Sequence, residues 1–130
     1  MKKTLLAAAM TLAAATTALA DPVEGIWKTA ANDEGSYLHV KVAACGSDIC
    51  GTIHKAFDAS GSANPSYENL GKKMIWDMGV DGGGAYSGGK IWAPDADKTY
   101  KSKMSLSGNT LKVKGCVSVV CRSQNWTRVN

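Results

Sequence analysis

After Ala20 no segment of this sequence is long and apolar enough to form a membrane-spanning helix, which needs about 20 such residues. Nor does any helical period of useful length appear there, which excludes helical bundles. Histidine is scarce: His39 and His54 are the only two, and no motif places a serine or cysteine nucleophile beside either. Hydrolytic chemistry therefore has little to stand on. No C-x-x-C pair occurs, which argues against a zinc site and against a redox-active pair. Asp95-Ala96-Asp97 alternates two carboxylates but lacks the ordered oxygen ligands of a calcium loop. Charge of one sign is also lacking. The formal +4 falls to +2 once Lys2 and Lys3 are set aside, which gives no global argument for nucleic-acid binding. The expectation is a protein that is not an enzyme, with no catalytic residue, no metal and no cofactor.

The first twenty residues are a different matter. Met1-Lys2-Lys3 is a short positive start, and an uncharged Ala- and Leu-rich stretch runs from Leu5 to about Ala15. It ends at Ala18-Leu19-Ala20, the small-x-small pattern of signal peptidase, followed by Asp21-Pro22. This predicts a cleavable signal peptide over 1–20, export to the cell envelope, and one domain over 21–130. No cysteine lies near the cleavage site, so a lipid anchor is not indicated. Four cysteines in so short an exported chain favour disulfides.

Short alternating runs, bounded by Gly, Asn, Asp or Ser, recur near 24–30, 36–45, 49–57, 73–78, 85–93, 98–106, 110–117 and 120–129. About eight such strands predict an all-β fold, either a sandwich or a small antiparallel up-and-down β-barrel. Asp58 to about Leu70, rich in Ser, Ala, Gly, Asn and Pro, predicts an exposed loop.

Register can be tested in two hairpins. Setting Cys45 opposite Cys50 places Val42 against Ile53, Lys41 against His54 and Leu38 against Phe57. One face then collects Leu38, Val40, Val42, Ile53 and Phe57, and the other Tyr37, His39, Lys41, Thr52 and His54. Setting Leu106 opposite Leu111 across Gly108-Asn109 places Met104 against Val113, Tyr100 against Val117, Cys116 against Cys121 and Leu111 against Trp126. Lys101, Lys103, Lys112 and Lys114 then share the outer face. Four cysteines allow three pairings. Opposed residues in a hairpin sit about 4.5–5.5 Å apart, within disulfide reach. Cys45–Cys50 and Cys116–Cys121, both spaced C-x4-C, are therefore favoured as structural staples.

Gly25-Ile26-Trp27 opens the first predicted strand and Trp126-Thr127-Arg128 closes the last. This resembles the lipocalin-like (calycin) barrels, in which an arginine of the final strand packs over the tryptophan of G-x-W. The resemblance gives Gly25, Trp27 and Arg128 a structural role in barrel closure. Nearly the whole of 21–130 also resembles a bacterial exported family, domain of unknown function 2147. The resemblance is carried by Gly25-Ile26-Trp27, Cys45-Gly46, Cys50-Gly51-Thr52-Ile53, Asn64-Pro65, Gly88 to Pro94, Lys98-Thr99-Tyr100, Leu111 to Cys116 and Cys121 to Arg128. It implies a periplasmic, lipocalin-like small barrel and no assigned activity. The chain departs from it at Ser66-Tyr67-Glu68, where a basic residue is usual, and in a shorter turn between Cys116 and Cys121.

An eight-stranded barrel is just wide enough to fill with side chains or to hold one small ligand. The registers above turn Trp27, Leu38, Val40, Val42, Ile53, Phe57, Tyr100, Met104, Leu106, Leu111, Val113 and Trp126 inward. Arg122 and Gln124 fall on the face of Trp126 and, if buried, need partners. Gly51 and Gly115 remove bulk. Trp76, Tyr86 and Trp92 have no assigned face, and Gly82-Gly83-Gly84 with Gly88-Gly89 read as turn and bulge. Two functions follow. One is a barrel binding a small, partly apolar ligand in an aromatic-lined cavity, with Arg122, Gln124, Trp126, Tyr100, Trp92 and Trp76 as candidate contacts. The other is an envelope interaction or stress-related module without a ligand, meeting an envelope protein or an anionic polymer across the lysine face.

Overall fold

The computed structural model describes residues 20–130; the expected signal peptide, apart from Ala20, lies outside them. Eight strands run in order: β1 Gly25–Lys28, β2 Tyr37–Cys45, β3 Asp48–Phe57, β4 Lys73–Gly82, β5 Ala85–Ala93, β6 Lys98–Ser107, β7 Thr110–Val117 and β8 Val120–Arg128. Each pairs antiparallel with the next, and β8 returns to β1, closing an up-and-down barrel. The barrel, not the sandwich, is the outcome of the all-β expectation. Closure leaves no exposed sheet edge among these strands.

Alternation supplies the core. Trp27, Val40, Ile75, Met78, Leu111 and Trp126 are all fully buried, with Val42, Ile53 and Val113 beside them. Most of their neighbours along each strand face out, as the period of two requires, although Met74 beside Ile75 is buried as well. The second hairpin has the expected register: Leu106 opposes Leu111, Met104 opposes Val113, Leu111 opposes Trp126 and Cys116 opposes Cys121. Lys101, Lys103, Lys112 and Lys114 are exposed.

The first hairpin differs. Cys45 opposes Asp48, so the turn is the two residues Gly46-Ser47, and Val42 meets Gly51 rather than Ile53. The pairing slips by two, which preserves which face each side chain takes. A bulge between His39 and Val40 then shifts the rest, so Phe57 opposes Tyr37 rather than Leu38. Phe57 therefore leaves the core face. Its ring stacks on Tyr37 at 5.0 Å and lies 4.4 Å from the imidazole of His39. The Lys28 ammonium sits 4.3 Å from the centre of the Tyr37 ring. The cysteines pair as Cys45–Cys50 and Cys116–Cys121, with Cα atoms 5.7 and 4.1 Å apart. β4 also outruns its expected end at 78. Asp77 takes a positive φ of 55°, and the strand continues to Gly82 before the turn Gly83-Gly84.

One end of the barrel is sealed by the segment before β1. Val23 is fully buried there, and the Trp27 indole N–H donates to its carbonyl at 2.8 Å. The Tyr86 hydroxyl donates to the Asp21 carboxylate. Arg128 lies over the Trp27 ring, its guanidinium carbon 4.3 Å from the ring centre. Its nitrogens donate to the carbonyls of Glu24, at 3.0 Å, and Pro22. Gly25 explains itself here: a Cβ would stand 2.7 Å from Arg128 Nη1 and 2.5 Å from the Asn130 carbonyl, at a φ of +145°.

Arg128→Ala should therefore cost about 2–4 kcal/mol, the cation–π contact together with two carbonyls left unpaired. Urea unfolding with an unchanged m-value is the measurement. A second expectation concerns pH. Burial, with help from Lys55, His54 and Lys28, lowers the His39 pKa below its usual 6.5. The unfolded chain then binds the proton first, so stability falls as pH drops below 6.5 toward the folded pKa. His39→Gln should flatten that slope in thermal melts between neutral pH and the mildly acidic range.

Candidate functional site

The opposite end of the barrel is open. Around it lie the β1–β2 connection, the loop from Asp58 to Lys72, the β5–β6 turn and the tip of the β7–β8 hairpin. That hairpin builds the site. Gly115 on β7 opposes Arg122 on β8, and Val113 opposes Gln124. With no side chain at Gly115, the wall is thin where Tyr100 and Ile91 approach it; a Cβ there would meet them at 3.4 and 3.5 Å. The result is a cavity of about 610 Å³ lined by Met74, Ile91, Ala93, Tyr100, Val113, Gly115, Val117, Val120, Arg122, Ser123 and Gln124. Met74 and Val113 are buried at its inner end, whereas Arg122 and Val120 are exposed. A smaller annex of about 250 Å³ adjoins it, sharing Met74, Ala93 and Gln124 and reaching Tyr37, Phe57, Tyr67, Asp58 and Asp95.

The sequence candidates separate. Arg122, Gln124 and Tyr100 line this cavity together. Trp126 lies fully buried in the core, and its indole N–H donates to Gln124 Oε1 at 2.8 Å. Gln124 therefore spends its oxygen on the core and leaves its NH₂ for the cavity. Trp76 does not reach the cavity: it lines a groove on the outer wall with Cys45, Asp48, Cys50, Lys73 and Asp77. Trp92 sits at the rim, where its indole N–H donates to Asp97 at 2.9 Å and the Lys72 ammonium stands 5.8 Å from its ring centre. Tyr86 belongs to the sealed end, where burial and the Asp21 carboxylate push its phenol pKa well up. The cavity wall is thus mainly aliphatic, with Tyr100 its one aromatic ring, which corrects the aromatic lining expected above.

Sequence reasoning missed Met74, Ile91 and Ala93. The bulges at Asp77 and around Gly88-Gly89 hid the faces of β4 and β5. It also read the loop after Asp58 as exposed throughout. Tyr67 and Leu70 in fact pack on the core, and buried Asn69 links Tyr67 Oη at 3.2 Å to Lys72 Nζ at 2.8 Å. Among the described residues no group of three or more His, Cys, Asp or Glu could hold a metal ion.

The bacterial family described as "Uncharacterized protein conserved in bacteria (DUF2147)" matches residues 25–128. The chain belongs to this family. A solved structure from Helicobacter pylori, described as a protein that belongs to the lipocalin family, is similar to this DUF2147 chain at 18% identity. The match covers 82% of each chain with a TM-score of 0.63, so the likeness is one of fold. No curated protein matches in sequence. The DUF2147 chain is thus a lipocalin-like barrel, sealed at one end and open at the other. Among the described residues no helix is long and apolar enough to cross a membrane.

Gln124→Leu should leave the buried Trp126 N–H without an acceptor, at a cost of about 1–3 kcal/mol. Gln124→Glu, which keeps an oxygen there, should recover most of it in the same denaturant titration.

Proposed function

We propose that this is a periplasmic, non-enzymatic barrel that binds a small, partly apolar ligand at its open end. The observation that carries the reading is the 610 Å³ cavity, whose aliphatic wall is interrupted by a few polar groups. Ligand sites have this size and this make-up: apolar walls give affinity, and sparse polar groups fix orientation. The core below is filled, so the ligand space is confined to the mouth. The signal-peptide pattern of 1–20 and two cysteine pairs at bonding distance support an oxidising, exported setting.

A neutral fluorescent probe, N-phenyl-1-naphthylamine, tests the reading. It should brighten on adding the protein, with saturable binding. Gly115→Leu should abolish that response. Gly115 has an ordinary φ, and a Cβ there has contacts of 3.4 Å or more, so the added side chain enters the cavity without straining the strand. Equal brightening with wild type and Gly115→Leu would place the probe elsewhere and end the proposal.

A second reading is favoured by one observation. The β7–β8 tip exposes Val117, Val119 and Val120 at 60, 92 and 65%. With the exposed Lys101, Lys103, Lys112 and Lys114 on the same hairpin and its neighbour, this tip suits an envelope partner or an anionic polymer.

A further inference from the structure

We infer that the ligand of this cavity is an amphiphile with a single anionic head group, held tail-inward with its head at Arg122. The inference rests on the small-ligand reading above and adds the sign and position of the ligand's charge.

Three observations carry it. The first is charge. Arg122 is the one charged side chain among the residues lining the cavity, and no Asp or Glu lies there to neutralise it. Of the carboxylates at this end, Asp58 and Asp95 line the annex instead, and Asp97 accepts from the Trp92 indole at the rim. Asp58 is already engaged by Ser60 and Ser62, and Asp95 by Asn32. A lone cation beside a low-dielectric wall focuses its field into the cavity and favours an anion.

The second is availability. Among the described residues the side-chain hydrogen bonds made by arginine are both those of Arg128, at the sealed end. Arg122 keeps its planar fork of donors for a guest, a geometry that fits a carboxylate through two parallel hydrogen bonds. Gly115 directly opposite leaves the space beside it clear.

The third is polarity along the cavity. Met74 and Val113 are 7% and 2% exposed at the inner end, beside Ile91, and no ionisable group stands among them. Arg122 is exposed, two residues from the outer end of β8. An apolar tail thus reaches the dry end while the head stays at the rim. There Arg122 keeps part of its hydration and avoids the penalty of a buried charge. Tyr100 and the NH₂ of Gln124 lie between the two regions as further polar contacts.

Octanoate, octan-1-ol and octyltrimethylammonium share a chain and differ in head charge. Each is titrated into ¹⁵N-labelled protein, following the amides of Val113, Gly115 and Arg122. Octanoate should bind at least roughly tenfold more tightly than the alcohol, with the ammonium weakest. Arg122→Gln should bring octanoate to the level of the alcohol titrated into the same variant. The variant is at an exposed strand position, and its amide spectrum away from the cavity should overlay that of the parent. If alcohol and octanoate bind alike at these amides, or if Arg122→Gln leaves octanoate unaffected, head-group selection is wrong and the small-ligand reading stands. If no probe moves these amides, both fall together.

Discussion

One side chain ties together the three segments that meet where this barrel closes. Arg128 covers the indole of Trp27 and binds two carbonyls of the segment that precedes β1. β1 is only four residues long and shares just two paired positions with β8, Trp27 with Arg128 and Lys28 with Thr127. Backbone hydrogen bonds between Ile26 and the Val129–Asn130 tail extend that short ladder. The guanidinium adds a side-chain connection, joining the last strand, the first strand and the plug formed by the segment before β1 in one place. Gly25 exists in that role as much as Trp27 does, because any side chain there would collide with Arg128.

Much of this was legible in the sequence, and the reasons are local. The β6–β7–β8 meander declares its register through Gly108-Asn109, a regular alternation and a cysteine pair placed across the hairpin. The β2–β3 hairpin offers similar signals, yet it conceals a bulge at His39/Val40. One extra residue in a strand reverses the faces beyond it, so Phe57 leaves the core for Tyr37. The strands β4 and β5 were least legible. Asp77 adopts a left-handed backbone with nothing in its neighbours to announce it. Gly89 allows Met78 to approach where a Cβ would stand 2.7 Å from its Cε. Because of those irregularities the alternation alone could not place Trp76 and Trp92. Arg122, Gln124 and Tyr100 could be, since they sit in the regular half of the barrel.

The two halves of the interior follow different rules. Toward the sealed end, large residues such as Trp27, Trp126 and Met78 are fully buried and occupy the interior. Toward the mouth, Gly115 and Ala93 occupy positions where large side chains would close it. The hydrophobic stabilisation comes from the first half, which frees the second to remain open. Gln124 marks the boundary, with its oxygen bonded to the core indole and its NH₂ on the cavity side.

The plug has a geometric consequence of its own. The backbone N–H of Ile26 donates to the carbonyl of Asn130 at 2.8 Å, so both ends of the described chain leave the molecule at the sealed pole. A fusion partner, an affinity tag or a surface tether attached at either end would hang below the barrel. The aperture would point away from the attachment, unobstructed, whichever end was used.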